Sequence, residues 1–187
     1  MQQSPRPWRL APAVRALRRG GVVAYPTEAV FGLGCDPLDR RAVARVLAIK
    51  GRPMAKGLIV IAADPRQVRR LVRPDGPAWQ RAVATWPGFA TWLLPVRPGV
   101  PRWLTGRHRR LAVRVTAHPV ARALCRAFGG PLVSTSANRA GRPPLRTATA
   151  ARVAFGAWLD AVVVGAVGGG SRPSPIRDAA TGAWVRA

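Results

Sequence analysis

Four short segments hold the side chains best suited to binding or transferring a charged substrate. Lys50-Gly51-Arg52-Pro53-Met54-Ala55-Lys56 places three cations within seven residues, with glycine and proline to shape the backbone. Ammonium groups act as compact point charges and a guanidinium clamps two oxygens at once, so this set suits a triphosphate. A solvated basic loop is the plain alternative, but both lysines of the chain fall here, which favours function. Ser134-Thr135-Ser136-Ala137-Asn138 offers three hydroxyls and an amide, able to hold phosphate or carboxylate oxygens without adding charge. The same residues also suit a capped turn. Tyr25-Pro26-Thr27-Glu28 opens a third segment, which by itself reads as an ordinary turn. Gly168-Gly169-Gly170-Ser171-Arg172-Pro173-Ser174 is the fourth. Its glycines can bring backbone N–H groups up to an anion or simply form a flexible loop.

Several familiar chemistries are missing. The chain has no G-x-x-x-x-G-K-[ST] phosphate loop, no G-x-G-x-x-G opening a helix and no G-x-S-x-G nucleophile elbow. Seven acidic residues leave little scope for paired-carboxylate catalysis. A nucleotide enzyme of this make-up works by positioning and charge neutralisation, with Mg²⁺ arriving on the nucleotide and no metal site of its own. Cys35 and Cys125 make no disulfide scaffold, and neither they nor His108 and His118 stand at metal-ligand spacing.

Composition narrows the partners. With 31 basic and 7 acidic residues the 187-residue chain carries +24, yet 48% of its residues are hydrophobic, so it folds around a core and presents a positive surface to polyanions. All but two of the cations are arginine and Glu28 is the sole glutamate. A coding bias toward arginine accounts for most of this and weakens the case for a dedicated nucleic-acid binder. No apolar run approaches the ~20 residues of a membrane helix, and the start lacks the apolar core of a signal peptide, which predicts a cytoplasmic protein.

The elements that must position these segments alternate. Leu10, Ala13, Val14 and Leu17 lie at helical spacing before Gly20-Gly21, and residues 22–25 form a short buried strand. Asp39 caps a helix with Val43, Val46 and Leu47 on its apolar face, followed by a strand over 58–61. Asp64-Pro65 opens a helix through Val68 and Leu71, and another spans 78–86. Strands follow over 91–94 and 111–115, then a helix over 119–128, with Val120, Leu124 and Phe128 on one side. A strand over 132–134, a helix over 149–155, a strand over 161–164 and a hairpin turning at Thr181-Gly182 complete the chain. This predicts one α/β domain over residues 1–187, a twisted mixed sheet flanked by helices around a positively charged cavity.

The strings YPTEAVFGLGCDP (25–37), KGRPMAKGLIVIAA (50–63), WPGFATWLLP (86–95), PRWLTGRHRRLAVRVTAHP (101–119), PLVSTSANRAGRPP (131–144) and PSPIRDAATG (173–182) resemble the YrdC/TsaC family of threonylcarbamoyl-AMP synthases. The resemblance covers nearly the whole chain, in family order. It implies an enzyme joining L-threonine, bicarbonate or CO₂, and ATP into threonylcarbamoyl-AMP and diphosphate, for N6-threonylcarbamoyladenosine modification of tRNA, with the transfer machinery of that pathway as partner. It implies that Lys50, Arg52 and Lys56 hold the ATP phosphates, with Ser136 and Asn138 alongside and Arg186 approaching the nucleotide. It further implies that Thr27, Arg114 and Ser174 grip threonine, with Ser134 between the two sets. Ala140 stands where many relatives carry serine.

A double-stranded RNA or tRNA-binding module without catalysis is the competing reading, and a carbamoyl-phosphate-dependent adenylating domain is a third. The net charge predicts RNA affinity that is largely sequence-blind and falls steeply with salt. Titration of tRNA from low to physiological salt checks this, and tight, salt-indifferent binding that discriminates anticodons contradicts it.

Overall fold

The computed structural model describes residues 6–170 and 173–186, so residues 171–172 of the glycine-rich segment and the first five residues lie outside the described residues. Helix α1 (Pro7–Arg18) buries Leu10, Ala13, Val14 and Leu17, the stripe expected from their spacing. Strand β1 (Val23–Pro26) follows. What looks in sequence like a loop after it is a second strand, β2 (Phe31–Gly34), paired antiparallel with Tyr25 opposite Gly32. Thr27 closes this hairpin: its N–H and its hydroxyl both donate to the Val30 carbonyl, at 3.0 and 2.7 Å. The glycines that mimic a loop are there for close packing. A Cβ on Gly34 would lie 2.5 Å from the Val133 carbonyl oxygen and 2.6 Å from the Tyr25 ring.

Asp39 caps α2 (Arg40–Lys50) by accepting from the N–H groups of Arg41 and Ala42. Val43 and Val46 are buried, with Leu47 partly buried beside them. After β3 (Ile59–Ala62) the chain departs from expectation. Asp64 accepts from the Arg66 N–H, but only one 3₁₀ turn, Pro65–Val68, follows. Beyond it Val72 bridges to Val96 and the Arg73 N–H donates to the Pro95 carbonyl, so strand pairing claims the backbone that a longer helix would need. Then come α3 (Gly76–Val83), β4 (Thr91–Pro95), the single-turn α4 (Arg102–Thr105), β5 (Arg110–Val115) and α5 (Pro119–Phe128). Strands β6 (Leu132–Val133) and β7 (Thr135–Ser136), helix α6 (Ala148–Phe155), β8 (Ala161–Val162) and the hairpin β9 (Ile176–Asp178) with β10 (Trp184–Arg186) complete the order.

The architecture is mixed α/β, but the strands form two sheets rather than one: β7-β2-β1-β8 and β10-β9-β4-β5-β3-β6. Each contains both parallel and antiparallel neighbours. Ser134 is the residue at which the chain leaves the larger sheet, where β6 pairs with β3, and enters the smaller one, where β7 pairs with β2. One apolar core joins residues of both sheets, among them Phe31, Leu33, Val60, Leu94 and Val113. A second, including Leu10, Leu17, Tyr25, Ile61 and Leu124, lies beneath α1 and α5.

Gly34 tests how tightly the sheets meet. Gly34→Ala forces backbone or ring displacement and is expected to cost about 1–3 kcal/mol in reversible thermal unfolding. Gly51→Ala has open space around its Cβ, and is expected to lose only the strain of its left-handed backbone, φ 59°, about 1–2 kcal/mol.

Candidate active site

Between the two sheets lies a cavity of about 540 Å³. The β1–β2 turn supplies Thr27, β5 supplies Arg114, and the segment before β9 supplies Ser174, with Phe89 beside them. Ser134, Ser136, Asn138, Arg52, Arg146 and Arg186 line the same cavity. No acidic side chain lines the wall among the described residues. The structure therefore brings together eight of the ten residues singled out from sequence, from six separate stretches of chain.

Arg114 governs one end. It is 6% exposed, and a guanidinium so far from water needs a counterion. Glu28 provides it, with Oε2 3.3 Å from an Arg114 terminal nitrogen, while Thr116 donates its hydroxyl to Glu28 Oε1 at 2.7 Å. The Phe89 ring lies 5.8 Å from the guanidinium carbon. Arg114 Nε, also buried, has no hydrogen-bond partner among the described residues. Glu28 Oε2 is enclosed in the same way and also lacks a hydrogen-bond partner among the described residues, so the pair is held by charge, and Arg114 remains part of the cavity wall. Next to it the Ser174 and Thr91 hydroxyls share a hydrogen bond at 3.0 Å, and Arg186 donates to the Ser174 carbonyl at 2.8 Å.

The glycine run packs over the Glu28 turn. Two of its N–H groups are spent on that turn: Gly168 donates to the Thr27 carbonyl and Gly170 to that of Glu28. A Cβ on Gly168 would lie 3.0 Å from Glu28 Cα, so only glycine lets this strand-like strap lie flat on the turn. Arg146 reaches from the cavity wall to the Gly170 carbonyl at 3.2 Å. Nearby His118 caps α5, its Nδ1 accepting from the Ala121 N–H while Nε2 faces the Ala166 carbonyl. Burial holds this imidazole below its usual pKa, which favours the form whose Nδ1 accepts at the cap.

Lys50 stands behind the cavity wall and not on it. Lys50, expected to hold phosphates directly, is 5% exposed and lines neither cavity described here. It projects from the last turn of α2, and its Nζ donates to the carbonyls of Ser136 and Asn138 and to Asn138 Oδ1. That same Oδ1 accepts from the Ser136 hydroxyl at 2.6 Å, and Asn138 Nδ2 donates to the carbonyls of Arg139 and Arg142. Lys50 is thus the centre of a polar knot that fixes the hydroxyl and amide facing the cavity. Burial, and then the neighbouring Arg52, pull its ammonium down to about 8.

Lys56 also lies outside the first cavity. It lines a second one of about 470 Å³ that shares Arg52, Leu58, Ile59 and Arg186 with the first. Arg52 is aimed by its own loop, donating twice to the Gly57 carbonyl. Sequence reading missed Glu28, Phe89, Thr116 and Arg146. Glu28 alone carried a signal, as the sole glutamate in a chain of arginines; nothing distinguishes Arg146 from the other arginines. Among the described residues no group of three or more His, Cys, Asp or Glu is placed to hold a metal ion.

A family model named Sua5/YciO/YrdC and described as "Telomere recombination" matches residues 15–186. The threonylcarbamoyl-AMP synthase of Halorhodospira halophila is 56% identical over 182 residues, covering 97% of this chain and 95% of that one. Among solved structures, P. abyssi Sua5 complexed with L-threonine superposes with a TM-score of 0.86 at 32% identity. That match covers 94% of this chain and 52% of the P. abyssi chain. E. coli YciO superposes with a TM-score of 0.86 at 27% identity, over 98% of this chain and 91% of that one.

The Lys50 knot carries a pH signature. As pH rises through about 8 the ammonium loses a proton, and with it one of three donations, so Ser136 and Asn138 loosen. Affinity for inorganic tripolyphosphate, measured by calorimetry from pH 7 to 9, is expected to fall along this limb. Lys50→Arg stays protonated and abolishes that limb, but its planar fork cannot converge on three oxygens, so affinity is expected to drop about tenfold or more throughout.

Proposed function

The chain belongs to the Sua5/YciO/YrdC family, and from that premise we propose that it is an L-threonylcarbamoyladenylate synthase, joining L-threonine, bicarbonate or CO₂, and ATP into threonylcarbamoyl-AMP and diphosphate. The observation that carries this reading is Arg114, nearly buried on the wall of a cavity that is otherwise lined by arginines, hydroxyls and an amide, with no acidic side chain among the described residues. The threonine carboxylate pairs with Arg114, and Thr27, Ser134 and Ser174 surround its side chain and amine. The Thr27 hydroxyl already donates to Val30, so it meets the substrate as an acceptor. The polyphosphate lies against Arg52, Ser136 and Asn138, with Lys56 and Arg186 at the mouth of the second cavity, and Lys50 holds the Ser136–Asn138 backbone in place. Mg²⁺ enters as part of the nucleotide.

The threonine amine adds to CO₂, giving a carbamate and releasing a proton. A carbamate oxygen then attacks the α-phosphorus, the bond from that phosphorus to the bridging oxygen of the β-phosphate breaks, and diphosphate leaves with the electron pair. Nucleophile and target are both anions. Arginines in a wall without acids offset their repulsion, and the cavity supplies alignment; no side-chain nucleophile is required. The adenylate serves N6-threonylcarbamoyladenosine formation on tRNA. The basic surface suits contact with tRNA or the transfer machinery in the cytoplasm, and no described helix is long and apolar enough to cross a membrane.

Mass spectrometry of the product from ATP, threonine and bicarbonate tests the reaction. 2-Aminobutyrate, which lacks the hydroxyl, is expected to turn over at least about 10²-fold less efficiently, because it leaves buried polar groups unpaired. Equal turnover of the two amino acids contradicts the threonine site. Arg114→Lys, which keeps the charge but loses the fork, is expected to raise KM for threonine by about tenfold or more while leaving ATP binding unchanged.

A further inference from the structure

Strand β10 stands at the edge of the larger sheet, is three residues long and has β9 as its only neighbour among the described residues. Its last residue, Arg186, nonetheless lines both cavities and donates to the Ser174 carbonyl. Alternation along a strand puts residues two apart on one face, so Trp184 and Arg186 would ordinarily project to the same side. They do not. Trp184 stands opposite Arg177 and Arg186 opposite Ile176, so Val185 and Arg186 together face a single residue of β9. This β-bulge turns Arg186 to the face that Ile176 shares with the second cavity, while Trp184 keeps to the other.

What pins the bulge lies on that other face. Trp92 on β4, Arg177 on β9 and Trp184 on β10 are register partners, a row across three neighbouring strands. The Arg177 guanidinium carbon lies 4.9 Å from the Trp92 ring centre and 4.6 Å from that of Trp184. Its Nε and a terminal nitrogen both donate to the Gly182 carbonyl, at 3.0 and 2.9 Å. Trp92 is buried and donates its indole N–H to the Thr85 hydroxyl. One flat cation thus ties an exposed edge strand to a fixed indole and closes the turn. A slip of β10 by one residue would take the Trp184 ring off Arg177 and carry Arg186 away from the cavities. Arg186 needs such a hold. Desolvation, and after it the charges of Arg114 and Arg52, keep its guanidinium below the usual range, so like charges oppose its place. None of the three stacked residues lines either cavity, so whatever they give the site passes through the direction of β10.

We propose that Arg177 and Trp184 are positioning residues: their stack on Trp92 holds the Val185 bulge and so aims Arg186 at the polyphosphate. This rests on the synthase reading, which puts the polyphosphate beside Arg186, and adds to it the residues that place that arginine. Binding of inorganic tripolyphosphate by calorimetry, in a double-mutant cycle, tests it. Arg186→Ala is expected to weaken binding about tenfold or more. Trp184→Ala, which leaves every cavity-lining residue in place, is expected to weaken it about threefold or more. The two combined are expected to stay within about twofold of Arg186→Ala alone, because Trp184 acts only through Arg186. Trp184→Phe keeps a ring on the guanidinium and is expected to stay within about twofold of wild type. Arg177→Lys preserves net charge but loses the flat stack and the paired donations, and is expected to follow Trp184→Ala in both backgrounds. Circular dichroism and thermal melting check the fold of each. Nuclear Overhauser contacts from the Arg177 methylenes to both indoles, expected in the unaltered protein, need no variant.

Unchanged affinity in Arg186→Ala or in folded Trp184→Ala, losses that multiply in the double variant, or absence of the contacts to either indole each overturns the assignment. If the wild type makes the adenylate and the cycle shows no coupling, only the positioning role fails. If the wild type binds tripolyphosphate but makes no threonylcarbamoyl-AMP, the synthase reading fails while the cycle still decides whether the stack aims Arg186.

Discussion

A single buried ion pair ties the two sheets together around the cavity. Arg114 comes from the larger sheet and Glu28 from the turn of the smaller one, and neither has appreciable contact with water. In such surroundings an unpaired guanidinium would cost several kcal/mol, so the approach of the two sheets at this point is set by charge as well as by apolar packing. Other features follow from that pairing. Thr116 spends its hydroxyl on the glutamate, and the glycine strap must lie close enough to cover the turn that carries it. Arg114 also lines the cavity, so the pair that joins the sheets is part of its wall.

The few acids of this chain are almost all committed elsewhere. Asp39 and Asp64 cap helical turns, Asp160 accepts from the Val22 N–H and pairs with Arg45, and Asp178 pairs with Arg110. The Arg110 hydrogen bond holds the Asp178 carboxyl below its usual range. With the carboxylates so placed, the cavity wall is left to arginines, hydroxyls and amides. Such a wall suits alignment of two anions and does not suit acid–base chemistry by paired carboxylates, in agreement with a reaction whose nucleophile belongs to the substrate.

The cations divide by geometry. Where one donor group must converge on several oxygens from different directions, as at the Ser136–Asn138 backbone, the chain uses a lysine whose three donors radiate from a single atom. Where a flat surface or a parallel pair of contacts is needed, it uses arginine. Arg177 lies with its guanidinium 4.9 Å from the Trp92 ring and 4.6 Å from that of Trp184, while donating twice to the Gly182 carbonyl to close the final hairpin. That hairpin in turn carries Arg186 back to the cavity.

Local pattern in the sequence was enough for the elements whose cause is local. The α1 stripe, the Asp39 cap, the continuous apolar strand at β3 and the Thr181-Gly182 turn each depend on residues within a few positions of one another, and each is where periodicity and turn chemistry put it. Strand β2 was illegible because its glycines are demanded by the Tyr25 ring and the Val133 carbonyl, the latter about a hundred residues away. The helix expected through Leu71 was cut short by pairing with Val96, which no local propensity announces. The site divides in the same way. Residue types and family motifs marked Thr27, Arg52, Arg114, Ser136 and Asn138 before any coordinates. That the Lys50 ammonium donates to the Ser136 and Asn138 carbonyls, and that Glu28 is the counterion of Arg114, were decided by tertiary structure alone. The direction of a side chain and the partner of a charge are set by which strands become neighbours, and that is a property of the whole fold.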